Sequence, residues 1–223
     1  MKTIFITRDL SDTSIFRTQL EAAGFTVHGQ SLLQFSAVAF DSVPHSDWLF
    51  FYSKNGVKYF FEGLKRLNKP IPKNTRWAAI GKGTAELLQS QTKRIDFIGT
   101  ADTLATANDF LKLAKTQTVL FPQAEHSRQT IQDLLGNKIV AENLSVYKNE
   151  PKQRITIPDC DALVFTSPMN AEAYFKNRIL LNNQKVFAIG RTTERTLASL
   201  GIVDYTVAEE PSEEALVKVI LEF

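Results

Sequence analysis

Short apolar runs alternate with amphipathic stretches along the whole chain, and this alternation predicts strands and helices in turn. Thr3–Thr7 is a nearly continuous apolar run, as expected of a parallel strand covered on both faces. Ile15, Phe16, Leu20 and Ala23 follow at helical spacing, and Gly24 ends that helix. Phe25–His28 predicts a second strand, and Leu32–Phe40, without helical period, an extended segment. The pattern restarts with a strand at Trp48–Tyr52, a helix over 55–67 and the turn Asn68–Asn74. Next come a strand at Trp77–Ile80, a helix from Thr84, a strand at Ile95–Ile98, a helix over Thr103–Lys115 and a strand at Thr118–Phe121. A helix over Arg128–Leu135 is stopped by Gly136, and a strand at Lys138–Ala141 precedes the extended stretch Leu144–Lys148. Strands at Ala162–Thr166, Val186–Ile189 and Val203–Val207 then alternate with helices from Ala171, over Thr193–Leu200 and over Ser212–Leu221. Alternation of this kind predicts an α/β fold with doubly wound parallel sheets.

The alternation contains a repeat. Trp48–Ser53 leads into Lys54-Asn55-Gly56-Val57, and Ala162–Ser167 leads into Pro168-Met169-Asn170-Ala171. Ala79-Ile80-Gly81-Lys82-Gly83-Thr84 is echoed by Ala188-Ile189-Gly190-Arg191-Thr192-Thr193. Thr3–Phe35 likewise resembles Thr118–Tyr147 in its sequence of strand, helix, glycine, strand and extended exit. Two similar α/β domains satisfy this order in two ways. Either each domain is contiguous, or the first is interrupted and the chain crosses between domains at Leu32–Phe40 and Leu144–Lys148. Neither segment has linker composition, and paired strands explain their β character better. A crevice between two such domains would be lined by N–H groups and hydroxyls.

Composition narrows the function. Hydrophobic residues make up 43% and charged residues 22%, ordinary for a globular protein. A net charge of +2 with no basic run gives no reason to expect nucleic acid. The single cysteine, Cys160, excludes an intrachain disulfide and a multi-cysteine metal site. The first residues are too short an apolar run for a signal peptide, and nothing approaches the ~20 apolar residues of a membrane span. A soluble cytoplasmic protein is expected. His28, His45 and His126 lack metal-ligand spacing, and no nucleophile elbow, Walker string or dinucleotide fingerprint is present.

Candidate chemistry sits where parallel strands end. Ligands bind beyond the carboxyl ends of such strands. Ser53, Gly81–Thr84, Ser167 and Gly190–Thr193 all fall there, each placed to cap a helix whose N–H groups and dipole favour an anion. Helix capping alone explains any one of these; matched pairs point to a shared ligand surface. Asp9 and Asp12 beside Arg8 read as a solvated helix start. Tyr147 closes an extended segment and is either a cleft-facing phenol or a hinge aromatic.

Together, Phe51-Tyr52-Ser53-Lys54-Asn55-Gly56-Val57, Ala79-Ile80-Gly81-x-x-Thr84-Ala85, Val146-Tyr147-Lys148, Phe165-Thr166-Ser167-Pro168 and Ala188-Ile189-Gly190-x-Thr192-Thr193 resemble the uroporphyrinogen-III synthase family over essentially the whole chain. The resemblance implies two flavodoxin-like domains joined by a two-stranded β-ladder. Domain 1 would comprise residues 1–34 and 153–223, domain 2 residues 40–143, and the crossings residues 35–39 and 144–152. It implies closure of hydroxymethylbilane, a linear tetrapyrrole with eight carboxylates, with inversion of ring D and loss of water, and no metal or organic cofactor. Tyr147 would assist departure of the hydroxyl group. Arg8, Ser53, Asn55, Gly81, Thr84, Ser167, Asn170, Gly190, Thr192 and Thr193 would bind substrate. The enzyme would be a monomer whose substrate is handed over by the preceding pathway enzyme. Three departures stand out: Tyr52 where the family has Thr, one extra residue before Asn170, and no glycine in Phe121-Pro122-Gln123-Ala124. A non-catalytic tetrapyrrole-binding or regulatory paralogue is the alternative. A solute receptor and a nucleotide-sugar transferase are disfavoured by the absence of a signal peptide and of phosphate fingerprints.

Overall fold

Strand–helix alternation carries through the structure, a computed structural model that describes residues 1–72, 74–100, 102–176, 178–181 and 183–223. The chain divides into two compact units, Met1–Gln34 with Glu150–Phe223, and Phe35–Asn149.

The first unit holds β1 (Thr3–Ile6), α1 (Ile15–Ala22) and β2 (Thr26–Gly29). A further strand, β3 (Leu33–Ala37), runs across the unit boundary. The second unit follows with β4 (Trp48–Phe51), α2 (Lys54–Arg66), β5 (Arg76–Ala79), α3 (Lys82–Gln89), β6 (Phe97–Ile98), α4 (Thr103–Ala114), β7 (Thr118–Ala124) and α5 (Thr130–Leu135). After a short 3₁₀ turn the long strand β8 (Val140–Pro151) leads back to the first unit. That unit is completed by β9 (Ala162–Phe165), α6 (Pro168–Phe175), β10 (Lys185–Ala188), α7 (Arg191–Ser199), β11 (Thr206–Val207) and α8 (Glu213–Leu221).

Among the described residues, one sheet has the order β11-β10-β9-β1-β2 and the other β3-β8-β7-β4-β5-β6. The pairs β1–β2, β1–β9, β9–β10 and β10–β11 are parallel, as are β8–β7, β7–β4, β4–β5 and β5–β6. Counted along the first unit, the strand order is 2-1-3-4-5. The second gives the same order once β7 and β8 are counted first, and this is the repeat seen in the sequence. At the crossings, Val38 N donates to Val146 O and Lys152 N to Leu32 O, a pairing that runs antiparallel.

Burial on both faces of the central strands explains their composition. Trp48, Leu49, Phe50 and Phe51 are all buried. Leu49 and Phe51 pack with Val57, Phe60, Leu64 and Leu88 of α2 and α3, whereas Trp48 and Phe50 meet Phe110, Ile131 and Leu135 of α4 and α5. In the other sheet Ile4, Ile6 and Val164 face Phe16, Leu20 and Leu216, and Phe5, Leu163 and Phe165 face Ala171, Tyr174 and Leu197. An alternating polar pattern could not supply both layers.

Two expectations are corrected. The strand expected at Lys138–Ala141 begins at Val140, after a 3₁₀ turn that ends at Lys138, and is one strand, β8, with the stretch Leu144–Lys148, because Glu142 and Asn143 continue the pairing with Leu120 and Phe121. Its polar middle breaks the apolar run without breaking the ladder. Helices α3 and α7 begin at Lys82 and Arg191, so Thr84 and Thr193 lie inside the first turn rather than at the cap. In the turn Asn68–Asn74, Lys73 lies outside the described residues.

Gly56 sets how closely α2 approaches β7. A Cβ there would lie 2.8 Å from the Pro122 carbonyl oxygen. Glycine inside a helix ordinarily costs about 1 kcal/mol relative to alanine. Here the sign should reverse: Gly56→Ala is expected to destabilise by about 1–3 kcal/mol, as overpacking does. A lowered urea midpoint with an unchanged slope would show it.

Candidate active site

Parallel strands deliver their helix starts to one edge of each sheet, and each start leaves backbone N–H groups in need of acceptors. Hydroxyls serve after the central strands. Ser53 Oγ accepts from Gly56 N (3.1 Å) at the start of α2, and Ser167 Oγ accepts from Asn170 N (3.2 Å) at the start of α6. Both serines follow the third strand of the 2-1-3-4-5 order, beside the point where that order reverses.

Glycine serves one strand further on. Gly81 and Gly190 are the N-caps of α3 and α7, and among the described residues no side chain caps either helix. Their carbonyls accept from Thr84 and Ala85, and from Thr193 and Glu194. Leading N–H groups of α3 and α7 therefore have no side-chain acceptor and face whatever approaches, with the helix dipole behind them. Gly81 and Gly190 are extended, and a Cβ on either would meet only ordinary contacts. Neither glycine is required by the backbone. A methyl built on Gly83 would lie 3.7 Å from Lys54 Nζ, so a cation stands beside the α3 start.

In the second unit, Ser53 and Tyr147 come together across a separation of 94 residues, with Ser53 Oγ 3.2 Å from Tyr147 Oη. The phenol ring stacks on Tyr59 at 5.5 Å and leans on Phe35. Tyr147 is 8% exposed. Burial pushes its pKa above the ordinary 10, while the Ser53 hydrogen bond pulls the other way and Tyr59 adds to the rise. Asn55 lies half-buried in the first turn of α2, and Thr84 is buried in the first turn of α3.

In the first unit, Asn170 is buried with both ends of its amide engaged. Nδ2 donates to Ser167 Oγ (2.9 Å), and Oδ1 accepts from Leu32 N (2.9 Å). Arg8 reaches Glu213 at 3.5 Å with its side chain 42% exposed. The same carboxylate accepts from Ser14 Oγ and Phe16 N at the start of α1. Thr192 is exposed, whereas Thr193 is 1% exposed and its Oγ1 has no hydrogen-bond partner among the described residues.

Some contributors escaped the sequence. Thr7 Oγ1 donates to Val164 O and accepts from Thr166 N, while Thr166 Oγ1 donates to Thr7 O. This exchange fixes the ends of β1 and β9, where the strand order reverses. Threonine closing both strands was its only signal. Tyr52 Oη accepts from Gln132 N at 3.3 Å at the start of α5, and its ring stacks on Phe121. Among the described residues, no group of three His, Cys, Asp or Glu side chains is placed to hold a metal ion.

Comparison with known proteins adds a family. The sequence model described as "Uroporphyrinogen-III synthase HemD" matches residues 14–218. The fold resembles the crystal structure of uroporphyrinogen-III synthetase from Helicobacter pylori, with a TM-score of 0.77 at 23% identity over 100% of this chain and 99% of that one. It also resembles a mutant uroporphyrinogen III synthase from Thermus thermophilus, with a TM-score of 0.63 at 17% identity over 99% of this chain and 98% of that one.

Tyr52 yields a pH prediction. Burial, then the nearby Asp133 charge, raise its phenol far above 10, although the Gln132 N–H opposes them. The unfolded chain gives up this proton near the ordinary value of about 10 while the folded chain keeps it. Stability from this group is therefore complete below that pH and is lost as pH rises beyond it. Urea midpoints measured across this range should fall, and less steeply in Tyr52→Phe. That variant should also start lower at neutral pH, because Gln132 N–H loses its acceptor.

Proposed function

We propose that this chain, which belongs to the uroporphyrinogen-III synthase family, closes hydroxymethylbilane to uroporphyrinogen III with inversion of ring D and loss of water, a lyase step of haem biosynthesis. The family match over residues 14–218 carries this reading. The edges of the sheets supply chemistry that suits it. A substrate with eight carboxylates needs many donors, and uncapped helix starts at Gly81 and Gly190 offer N–H groups with favourable dipoles.

Gly81, Thr84, Gly190, Thr192 and Thr193 are assigned to substrate carboxylates, with Arg8 and Asn55 as further contacts. Ser53, Ser167 and Asn170 contribute by holding the turns, since their polar atoms already have partners within the protein. Orientation is the main task, because holding the ends of the tetrapyrrole in one geometry lowers the barrier to the wanted closure and not to the other. Tyr147 donates to the departing hydroxyl. No cofactor is assigned.

Each unit is read as a flavodoxin-like domain, a reading supported by the 2-1-3-4-5 strand order. Domain 1 takes residues 1–34 and 153–223, domain 2 residues 40–143, and the β3 and β8 crossings form the ladder. The enzyme is read as a cytoplasmic monomer receiving its substrate from the preceding enzyme. No helix among the described residues is long and apolar enough to cross a membrane.

Incubation with hydroxymethylbilane and separation of the type I and type III products tests the function. Type III should dominate; type I alone, at the rate seen without protein, would refute it and favour a non-catalytic binding protein. Tyr147→Phe keeps the ring and its stacking, so kcat should fall by about 10²-fold or less, the low end for a general acid, with KM little changed and type III still dominant. Thr84→Ala and Thr193→Ala should each slow turnover while the fold survives. Full activity in both would make these threonines packing residues only.

A further inference from the structure

Ser53 meets two groups at once. Its Oγ accepts the Gly56 N–H at 3.1 Å and lies 3.2 Å from Tyr147 Oη. A serine hydroxyl has one proton and two lone pairs. One lone pair is taken by the α2 start. What remains toward Tyr147 is either a lone pair that receives the phenol proton or a proton given to the phenol oxygen.

We propose that Ser53 is a positioning residue for Tyr147, donating its O–H to the phenol oxygen so that the phenol proton is directed to the departing hydroxyl. This rests on the general-acid reading of Tyr147. The two hydroxyls are interchangeable as donors only while the phenol is protonated. In the proton transfer, the Tyr147 O–H bond breaks and an O–H bond forms to the leaving oxygen. That oxygen takes the electron pair of its C–O bond and departs as water. The phenolate left behind can only accept. Donation from Ser53 is therefore the arrangement that survives the step, and it becomes a charge-assisted bond as the step proceeds. A bond stronger in the transition state than in the ground state raises kcat. Inversion of ring D exchanges its two links: the bond from its substituted α-carbon to the ring C methylene breaks, that carbon bonds the carbon that lost the hydroxyl, and the free α-carbon bonds the released methylene and loses its proton, which restores the phenol, so macrocycle and water are the only products.

Two features hold the pair in place. Gly56 N–H anchors the serine oxygen, and the α2 dipole behind it makes Ser53 O–H a better donor. Tyr59 and Phe35 fix the phenol ring. The Ser53 bond lowers the phenol pKa against the rise from burial, as donation to its oxygen does. The Ser53 turn is matched at Ser167, but there the third group is the Asn170 amide and no phenol. The repeated turn thus has an added duty in one unit only.

The test uses Ser53→Gly, Ser53→Ala, Ser53→Thr, Tyr147→Phe and the double variant Ser53→Gly with Tyr147→Phe. Glycine removes the hydroxyl at little cost to the cap, whereas alanine loses both. Both should lower kcat by the same factor, about 2- to 12-fold, the rate equivalent of one hydrogen bond, with KM little changed. Threonine should restore most of the rate. In the Tyr147→Phe background the glycine change should have no further effect. Tyrosinate absorbance, taken as the difference from Tyr147→Phe, should show Tyr147 titrating at higher pH in Ser53→Gly. Equal losses with and without Tyr147, a loss in alanine but not in glycine, or an unmoved titration would each overturn the proposal. Wild-type turnover in Tyr147→Phe would instead remove the general-acid reading, and this role of Ser53 with it.

Discussion

Satisfying the N–H groups at helix starts is the constraint on which the rest of this structure turns. Within each sheet, parallel strands place those starts on one edge, and each needs acceptors that the helix itself cannot provide. The chain meets the need twice in the same two ways. After β4 and β9 a serine hydroxyl takes the N–H three residues on, and after β5 and β10 a glycine carbonyl does the work without any side chain. The first solution closes the turn. The second leaves the leading N–H groups without a side-chain acceptor among the described residues.

Other polar side chains near these turns are engaged within the protein. Asn170 looks like a ligand contact in the sequence, yet its amide bridges Ser167 and Leu32 N. Arg8 is shared with Glu213, which also receives two donors at the start of α1. A partly exposed pair of this kind is worth little. Tyr147 differs from all of these. It enters from β8, the strand that continues from one unit to the other, and is fixed by rings from β3 and α2.

The fold was largely legible in the sequence because burial on both faces forces continuous apolar runs at Trp48–Phe51 and Ala162–Phe165, and repetition marked the turns behind them. Helix starts were less legible. Threonine is a strong N-cap former, so the pattern placed the starts of α3 and α7 at Thr84 and Thr193, whereas the glycine carbonyls begin both helices earlier. β8 was split because Glu142 and Asn143 interrupt its apolar run but not its hydrogen bonds. Contacts such as Ser53 with Tyr147 and Tyr52 with Gln132 join distant segments and leave no periodic trace.

Backbone amide shifts offer the most direct measure of whether the carboxyl edges are the functional edges. Titrating perdeuterated, ¹⁵N-labelled protein with a stable octacarboxylate tetrapyrrole should move the amides of Lys82, Gly83, Arg191 and Thr192 most, because the N–H groups of Thr84, Ala85, Thr193 and Glu194 are already held by the Gly81 and Gly190 carbonyls. Smaller changes are expected at Gly56 and Asn170, whose N–H groups are already held by serine. Shifts confined to the opposite ends of the strands, such as the 540 Å³ cavity lined by Tyr174, Arg178 and Gln184, with the glycine turns silent, would contradict it.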